Sequence, residues 1–347
     1  MFKIGKHTIG KGHPVFIVME VAQAHDGSLG TAHAFIDLAA DVGADAVKFQ
    51  THIASAESTK LEPFRVKFSR QDVSRYDYWK RMEFSTDQWV GLAGHAEEKG
   101  LVFLSSPFSI EAVDMLEKCH VPAWKVGSGE ITNTLLLDRM IETGKPILLS
   151  TGMSSWGEID VVVQRVQNAG IPLILYQCTS QYPCQPKDIG LSLINTMQER
   201  YKLPVGLSDH SGSPYFSIAA VALGAASVEV HMTLSEYAFG PDVLSSLDPC
   251  NLKRLVEGIR LVEKAMYCFV EKDAMAEHLS GMRSMFGRSV VARYDLKKNL
   301  LLSREHLTVK KPAGGIAPAE IDCLLGKRLI RDLPIDSVLS LEDVLEV

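Results

Sequence analysis

An alternation along the chain restricts its fold more than any other feature. Eight short apolar, β-branched stretches recur: VFIVMEV (15–21), DAVKFQ (45–50), LVFLSS (101–106), AWKVGS (123–128), PILLST (146–151), PLILYQC (172–178), LPVGLS (203–208) and ASVEVHM (226–232). Between and after them lie amphipathic stretches of helical period, at about 30–43, 86–99, 109–118, 134–143, 156–168, 190–201, 214–223 and 249–268. Gly100, Gly144, Gly170 and Gly224 each stand a residue or two before the next strand, where a helix C-cap belongs. Strands that are apolar throughout are covered on both faces, as in a parallel sheet shielded by its crossover helices. Eight such units within residues 1–270 predict a (β/α)8 TIM barrel; an open doubly wound sheet more often has about five to seven strands.

The stretch 52–80, HIASAESTKLEPFRVKFSRQDVSRYDYWK, is too long for an ordinary loop. Its charges and aromatics predict a lid or an oligomer contact, against the plainer reading of a solvated loop. After about residue 280 the pattern changes to short extended runs with Gly and Pro. The chain then divides into a barrel at 1–270, a polar linker at 271–283 and a small β-rich domain at 284–347.

Composition removes several function classes. The 347 residues carry 36 Lys+Arg against 42 Asp+Glu, a formal charge of −6, which does not suit a nucleic-acid surface. No window approaches the ~18 consecutive apolar residues of a membrane span. The Val15–Val18 run is too short for a signal-peptide core, so a cytoplasmic location is expected. The six cysteines match no zinc or redox spacing and read as mostly free thiols.

Catalytic groups of such barrels sit at the C-terminal strand ends. Here those ends carry Glu20, Gln23 and His25; Lys48 and Gln50; Ser105 and Ser106; Lys125, Ser128 and Glu130; Ser150 and Thr151; Ser180 and Tyr182; Ser208, Asp209 and His210; and Glu229 and His231. One strand-end serine would mean little, and Ser109 before EAVDML reads as a helix cap. A shared switch from apolar to polar at one rim means more. Lysines in buried strands need an anion or must lose a proton. Lys48 and Lys125, with nearby hydroxyls and the GSG amides at 127–129, form a candidate phosphate cradle; a Schiff-base lysine is the rival reading. His210 and His231 end adjacent strands, within reach of one divalent cation such as Mn2+. Asp209 either orients an imidazole or caps the next helix.

MEVAQAHDGSL (19–29), AVKFQTH (46–52), SSPFS (105–109), WKVGSGEITN (124–133), ILLSTGMSS (147–155), QCTSQYP (177–183), GLSDHSG (206–212), VEVHMTL (228–234) and GPD (240–242) resemble the sialic acid synthase family. That family includes legionaminic and pseudaminic acid synthases and the spore-coat polysaccharide enzyme. The segment from RSVVARYDLKKN through LLGKRLIRDLPI is similar to its antifreeze-like, SAF-type domain.

The resemblance implies condensation of phosphoenolpyruvate with an N-acetylated hexosamine, N-acetylmannosamine or a related acetamido sugar, to a nine-carbon 2-keto acid. It implies His210 and His231 as ligands of Mn2+ or another divalent cation such as Mg2+ or Co2+. Lys48, Ser106, Lys125, Ser128, Ser180 and Ser208 would surround phosphoenolpyruvate. Gln50, Glu130, Tyr182 and Asp242 would face the sugar, with Glu20 and Ser150 nearby. Glu130, Glu20 and Lys125 are the candidate catalytic groups. Three positions depart from the family pattern: Ser106 for its usual Thr, Ser180 for its frequent Asn, and Lys311 in KKPAGGI for an Arg that reaches the partner subunit's sugar site. A domain-swapped homodimer follows from that last contact. The competing readings are a Schiff-base aldol lyase and a non-catalytic sugar- or ice-binding module.

Overall fold

In the computed structural model, which describes residues 1–345, the chain opens with an antiparallel hairpin of β1 (Phe2–Ile4) and β2 (His7–Ile9). Eight parallel strands follow: β3 (Phe16–Ala22), β4 (Ala46–Thr51), β5 (Val102–Pro107), β6 (Trp124–Val126), β7 (Ile147–Ser150), β8 (Leu173–Cys178), β9 (Val205–Asp209) and β10 (Ser227–Met232). Their order is β5-β4-β3-β10-β9-β8-β7-β6, the end strands β5 and β6 adjoin, and the short β11 (Ser246–Leu247) pairs parallel with β10. This is a TIM-type barrel. Its main helices are α1 (Leu29–Asp41), α4 (Thr86–Glu98), α5 (Ile110–Glu117), α6 (Thr134–Glu142), α7 (Trp156–Asn168), α8 (Ser192–Tyr201), α9 (Pro214–Ala222) and α10 (Pro249–Tyr267). The short helices α2 (Ala54–Glu57) and α3 (Arg75–Met82) lie in the insertion after β4. Ser109 caps α5 as expected, accepting from the Ala112 amide at 3.1 Å.

Side chains alternate across a strand, so every second residue faces the barrel axis. At the N-terminal end these residues are apolar. Phe16, Val18, Ala46, Val102, Leu104, Ala123, Leu148, Ile174 and Tyr176 form one cluster, and Ile4 and Ile9 of the hairpin close it from below. Two residues further along the same strands the columns turn polar: Glu20 after Val18, Lys48 after Ala46, Ser106 after Leu104, Lys125 after Ala123, Ser150 after Leu148. Tyr176 fills the transition. A Cβ on Gly206 would come within 2.8 Å of its ring and 2.7 Å of the Ser227 carbonyl, so only glycine fits there. The opposite strand faces pack Ile17, Met19, Val47, Leu149 and Leu175 against the helices.

The insertion is folded. Ala54, Tyr78, Trp79 and Met82 build a small core with Phe64, Phe68 and Tyr76. Two chain segments differ from the sequence expectation. The N-terminal hairpin was not foreseen, because two three-residue strands carry too little pattern. The stretch read as a polar linker is helical, as α11 (Lys272–His278) and α12 (Ser280–Phe286). It holds Ala, Met, Glu, Lys and Arg and no proline, which favours helix despite its polarity.

The chain divides into two compact units, Met1–Tyr267 and a second beginning at Cys268. In the second, β12 (Ser289–Ala292) pairs with β13 (Leu307–Lys310), and β14 (Arg328–Leu329) with β15 (Val344–Leu345). Val290, Leu296, Leu302, Leu307, Leu324, Leu329 and Leu339 make its core. The last two residues of the expected domain, 346 and 347, lie outside the described residues. Among the described residues no helix is long and apolar enough to cross a membrane.

Candidate active site

The polar end of the barrel holds a cavity of about 280 Å3. Four charged groups occupy its floor. Lys48 Nζ lies 2.6 Å from Glu20 Oε2 and 3.7 Å from Glu229 Oε1. Lys125 Nζ lies 3.1 Å from the same Glu229 oxygen and donates to Ser150 Oγ at 2.7 Å. Ser208 Oγ donates to Glu229 at 3.0 Å, and Ser106 Oγ stands 3.4 Å from Lys48. All four charged residues are buried. Burial alone would raise the Glu229 carboxyl, but Lys125 and Lys48 hold it down at about 2. Burial works against the Lys48 ammonium too, yet Glu20 and Glu229 outweigh it and raise its pKa. For Lys125 burial wins: its pKa is lowered, Glu229 supporting the ammonium and Lys48 opposing it.

Above this floor stand two imidazoles. The rings of His210 and His231 are 5.3 Å apart, centre to centre, at 66°. His210 Nδ1 is 2.9 Å from the Thr179 carbonyl oxygen, which can only accept, so Nδ1 carries the proton. Burial, reinforced by His231, pushes the His210 pKa down to about 3 and keeps the ring neutral. Its Nε2 then presents a lone pair, 3.2 Å from the Tyr182 hydroxyl. A neutral imidazole with its far nitrogen pinned to a carbonyl is the arrangement of a metal-ligating histidine. Among the described residues no group of three or more His, Cys, Asp or Glu is placed to hold a metal. Asp209 does not orient either ring; it accepts from the Ser211 amide at 2.9 Å and from Ser217 Oγ at 3.1 Å, fixing the turn into α9.

Ser128, Ser180, Tyr182, Gln50 and Asp242 line the rest of the cavity. Gln50 Nε2 donates to Glu20 Oε1 at 2.9 Å. The Gly152 amide donates to Ser128 Oγ at 3.1 Å, and a Cβ there would lie 2.6 Å from Ser180 Oγ and 2.5 Å from Cys178 Sγ. Two expected residues are not in this cavity. Glu130 lines the neighbouring one, beyond the stacked rings of Trp79, His52 and Phe108, where it accepts from Asn133 at 2.8 Å and burial raises its pKa. Lys311 belongs to the second unit, its ammonium 5.0 Å above the Phe286 ring.

Sequence reasoning left out Glu229 as a site residue, although a signal was present: it stands two positions before His231 and so shares its face of the strand. It also left out Arg65, Arg75 and Trp79, which reach the cavity from the insertion. An irregular segment offers no period from which their direction follows.

Comparison with known proteins agrees with the fold. Residues 35–270 match the NeuB family and residues 287–345 match the SAF domain. The N,N'-diacetyllegionaminic acid synthase of Campylobacter jejuni is 36% identical over 317 residues, covering 90% of this chain and 94% of that protein. The human N-acetylneuraminate-9-phosphate synthase is 36% identical over 337 residues, covering 93% and 90%. The crystal structure of the N-acetylneuraminic acid (sialic acid) synthetase from Leptospira borgpetersenii in complex with citrate superposes with a TM-score of 0.71 at 30% identity, over 81% of this chain and 95% of that one. With its barrel, polar rim and C-terminal SAF domain, the chain belongs to the NeuB family of sialic-acid-type synthases.

Proposed function

We propose that this protein joins phosphoenolpyruvate to the open-chain form of an N-acetylated hexosamine, giving a nine-carbon 2-keto acid and inorganic phosphate. The observation that supports this most is the pairing of Lys48 and Lys125 with Glu20 and Glu229 beneath two facing imidazoles, in one cavity. With each ammonium matched by a carboxylate, the floor has no surplus positive charge. A bound phosphoenolpyruvate anion then favours a cation at the two histidines. That cation, Mn2+ or another such as Mg2+ or Co2+, would be held by His210 and His231 and supply Lewis acidity toward the sugar aldehyde.

The remaining chemistry falls to the chain. Lys48 and Lys125, with hydroxyls of Ser106, Ser128, Ser150, Ser180 and Ser208, hold the phosphate and carboxylate in line. C3 of the enol bonds to the aldehyde carbon, water adds to C2, and the C2–O bond to phosphate breaks as the keto group forms. Gln50, Tyr182 and Asp242 position the sugar. Glu20, beside Lys48, is placed to hold or pass a proton on the floor. Glu130, in the neighbouring cavity beyond the aromatic stack, does not reach the sugar; bonded to Asn133, it holds the turn after β6 that carries Ser128. Lys311 would complete the site of a second copy in a domain-swapped homodimer, and the reaction belongs to the cytoplasm.

The test is phosphate release from phosphoenolpyruvate with Mn2+ and a panel of acetamido sugars. Release that needs both substrates, stops with chelator and returns with Mn2+ is expected; none with any sugar counts against the reading. The lowered pKa of Lys125 favours a second reading, a Schiff-base lyase. Borohydride trapping of Lys125 with a sugar acid would support that instead.

A further inference from the structure

The insertion between β4 and α4 touches the rest of the barrel mouth at several points. Arg81 donates to the Asp26 carbonyl at 2.9 Å and to its carboxylate at 2.6 Å. Phe68 packs against Phe239 of the loop after β10, ring centres 5.7 Å apart. Arg65 spans further: its guanidinium carbon lies 4.2 Å above the centre of the Tyr182 ring, and its Nη2 donates to Asp242 Oδ1 at 2.6 Å. Tyr182 in turn lies against His210, ring centres 4.2 Å apart. One arginine of the insertion thus bridges the loop after β8, which carries Tyr182, and the loop after β10, which carries Asp242, directly over the imidazoles. Arg65 and its neighbours Phe64 and Val66 line the cavity.

A guanidinium has five N–H donors in a fixed plane. The Tyr182 ring beneath it and the Asp242 bond, which uses one donor, hold the group in place; Asp242 is its one hydrogen-bond acceptor among the described residues. The side chain is 41% exposed, so it can exchange solvent for a ligand without a large desolvation cost. A pre-oriented fork at a cavity mouth suits a carbonyl or hydroxyl oxygen of a neutral ligand, which accepts without displacing the Asp242 carboxylate. The phosphate end has its own cations on the floor, buried beneath.

We infer that Arg65 determines acceptor specificity: it clamps the insertion over the cavity and donates hydrogen bonds to acetamido or hydroxyl oxygens of the sugar. This rests on the function proposed above. Phosphoenolpyruvate binding does not use it. Truncation raises the sugar KM and changes the ranking of sugars, while the phosphoenolpyruvate KM stays put. A lysine in its place keeps the charge and loses the fork, so it restores folding contacts without restoring the ranking.

Steady-state kinetics of wild type, Arg65→Ala and Arg65→Lys across the same sugars read this. Expected is a rise of about tenfold or more in sugar KM for both variants, with phosphoenolpyruvate KM within twofold. A sugar KM unchanged in Arg65→Ala, or equal rises in both KM values, overturns the inference. Calorimetric titration of sugar alone into wild type and Arg65→Ala separates the two readings. Sugar binding lost in Arg65→Ala, with no turnover by wild type, sinks the reaction and keeps Arg65 as the sugar's anchor. Turnover with unchanged sugar binding sinks Arg65 alone. A wild type that binds none of the sugars contradicts both.

Discussion

The two ends of the barrel are built from the same eight strands and the same alternation, yet they do opposite things. At the N-terminal end the inward residues are Phe16, Val18, Leu104 and Ile174, sealed by Ile4 and Ile9. Two residues along, the inward positions become Glu20, Lys48, Lys125 and Glu229, buried just as deeply. Burial stabilises the first set and penalises the second. The fold can carry four buried charges at one end because the other end supplies the apolar area, and because each charge has a partner within 3.1 Å.

The comparison is broken most severely from the charged side. Glu229→Ala leaves two buried ammonium groups sharing only Glu20. Loss of one partner of a buried pair costs about 3–5 kcal/mol, and turnover should fall about 10²–10³-fold or more. Chemical unfolding and phosphate release measure both. Unchanged turnover would remove the cluster from the chemistry. Ile9→Ala attacks the apolar end. Its side chain is fully buried, so about 2–5 kcal/mol of stability is lost, while both KM values stay within twofold at temperatures where the variant is folded. An altered KM would mean the two ends are not independent.

Gly152→Ala sharpens the boundary between them. The new methyl meets Ser180 and Cys178, so an overpacking cost of about 1–3 kcal/mol is expected, together with a phosphoenolpyruvate KM raised about tenfold. A KM unchanged in the folded variant would place the anion elsewhere.

The smallest effect is on the insertion. Arg81 bonds Asp72 at 2.8 Å and holds its carboxyl below the usual range, helped by Ser69 and opposed by burial. A depressed carboxyl contributes stability above its unfolded pKa of about 3.9 and loses it as pH falls through the folded value. Proteolysis of the insertion with an acid-active protease should therefore rise below about pH 4, and Asp72→Asn should abolish that acid step. An identical acid profile in the variant would show that other groups hold the insertion.

Much of this was legible in the sequence, for a physical reason. Strand-end residues such as Lys48, Lys125, His210 and His231 are placed by the period of two and by the rule that a barrel's chemistry sits at one rim. The apolar N-terminal end of the barrel was legible as continuous hydrophobic strands. The same period, carried across from His231, reaches Glu229. What the sequence did not show was direction within irregular segments. Glu130 follows a short turn after β6 and points beyond the aromatic stack, and Arg65 lies in an insertion ordered by its own small core. The helical nature of 271–283 was masked by its polar composition, although Met275, Leu279 and Met282 stand at helical spacing.

The proposed condensation depends most on His210 and His231 holding one cation beside the paired lysines. Calorimetric titration of Mn2+ into wild type and into His231→Ala, with circular dichroism as the check on folding, tests this directly. One Mn2+ per wild-type chain and none in a fully folded His231→Ala is the predicted result. Equal Mn2+ binding by the two proteins, or none by wild type even with phosphoenolpyruvate present, would contradict it.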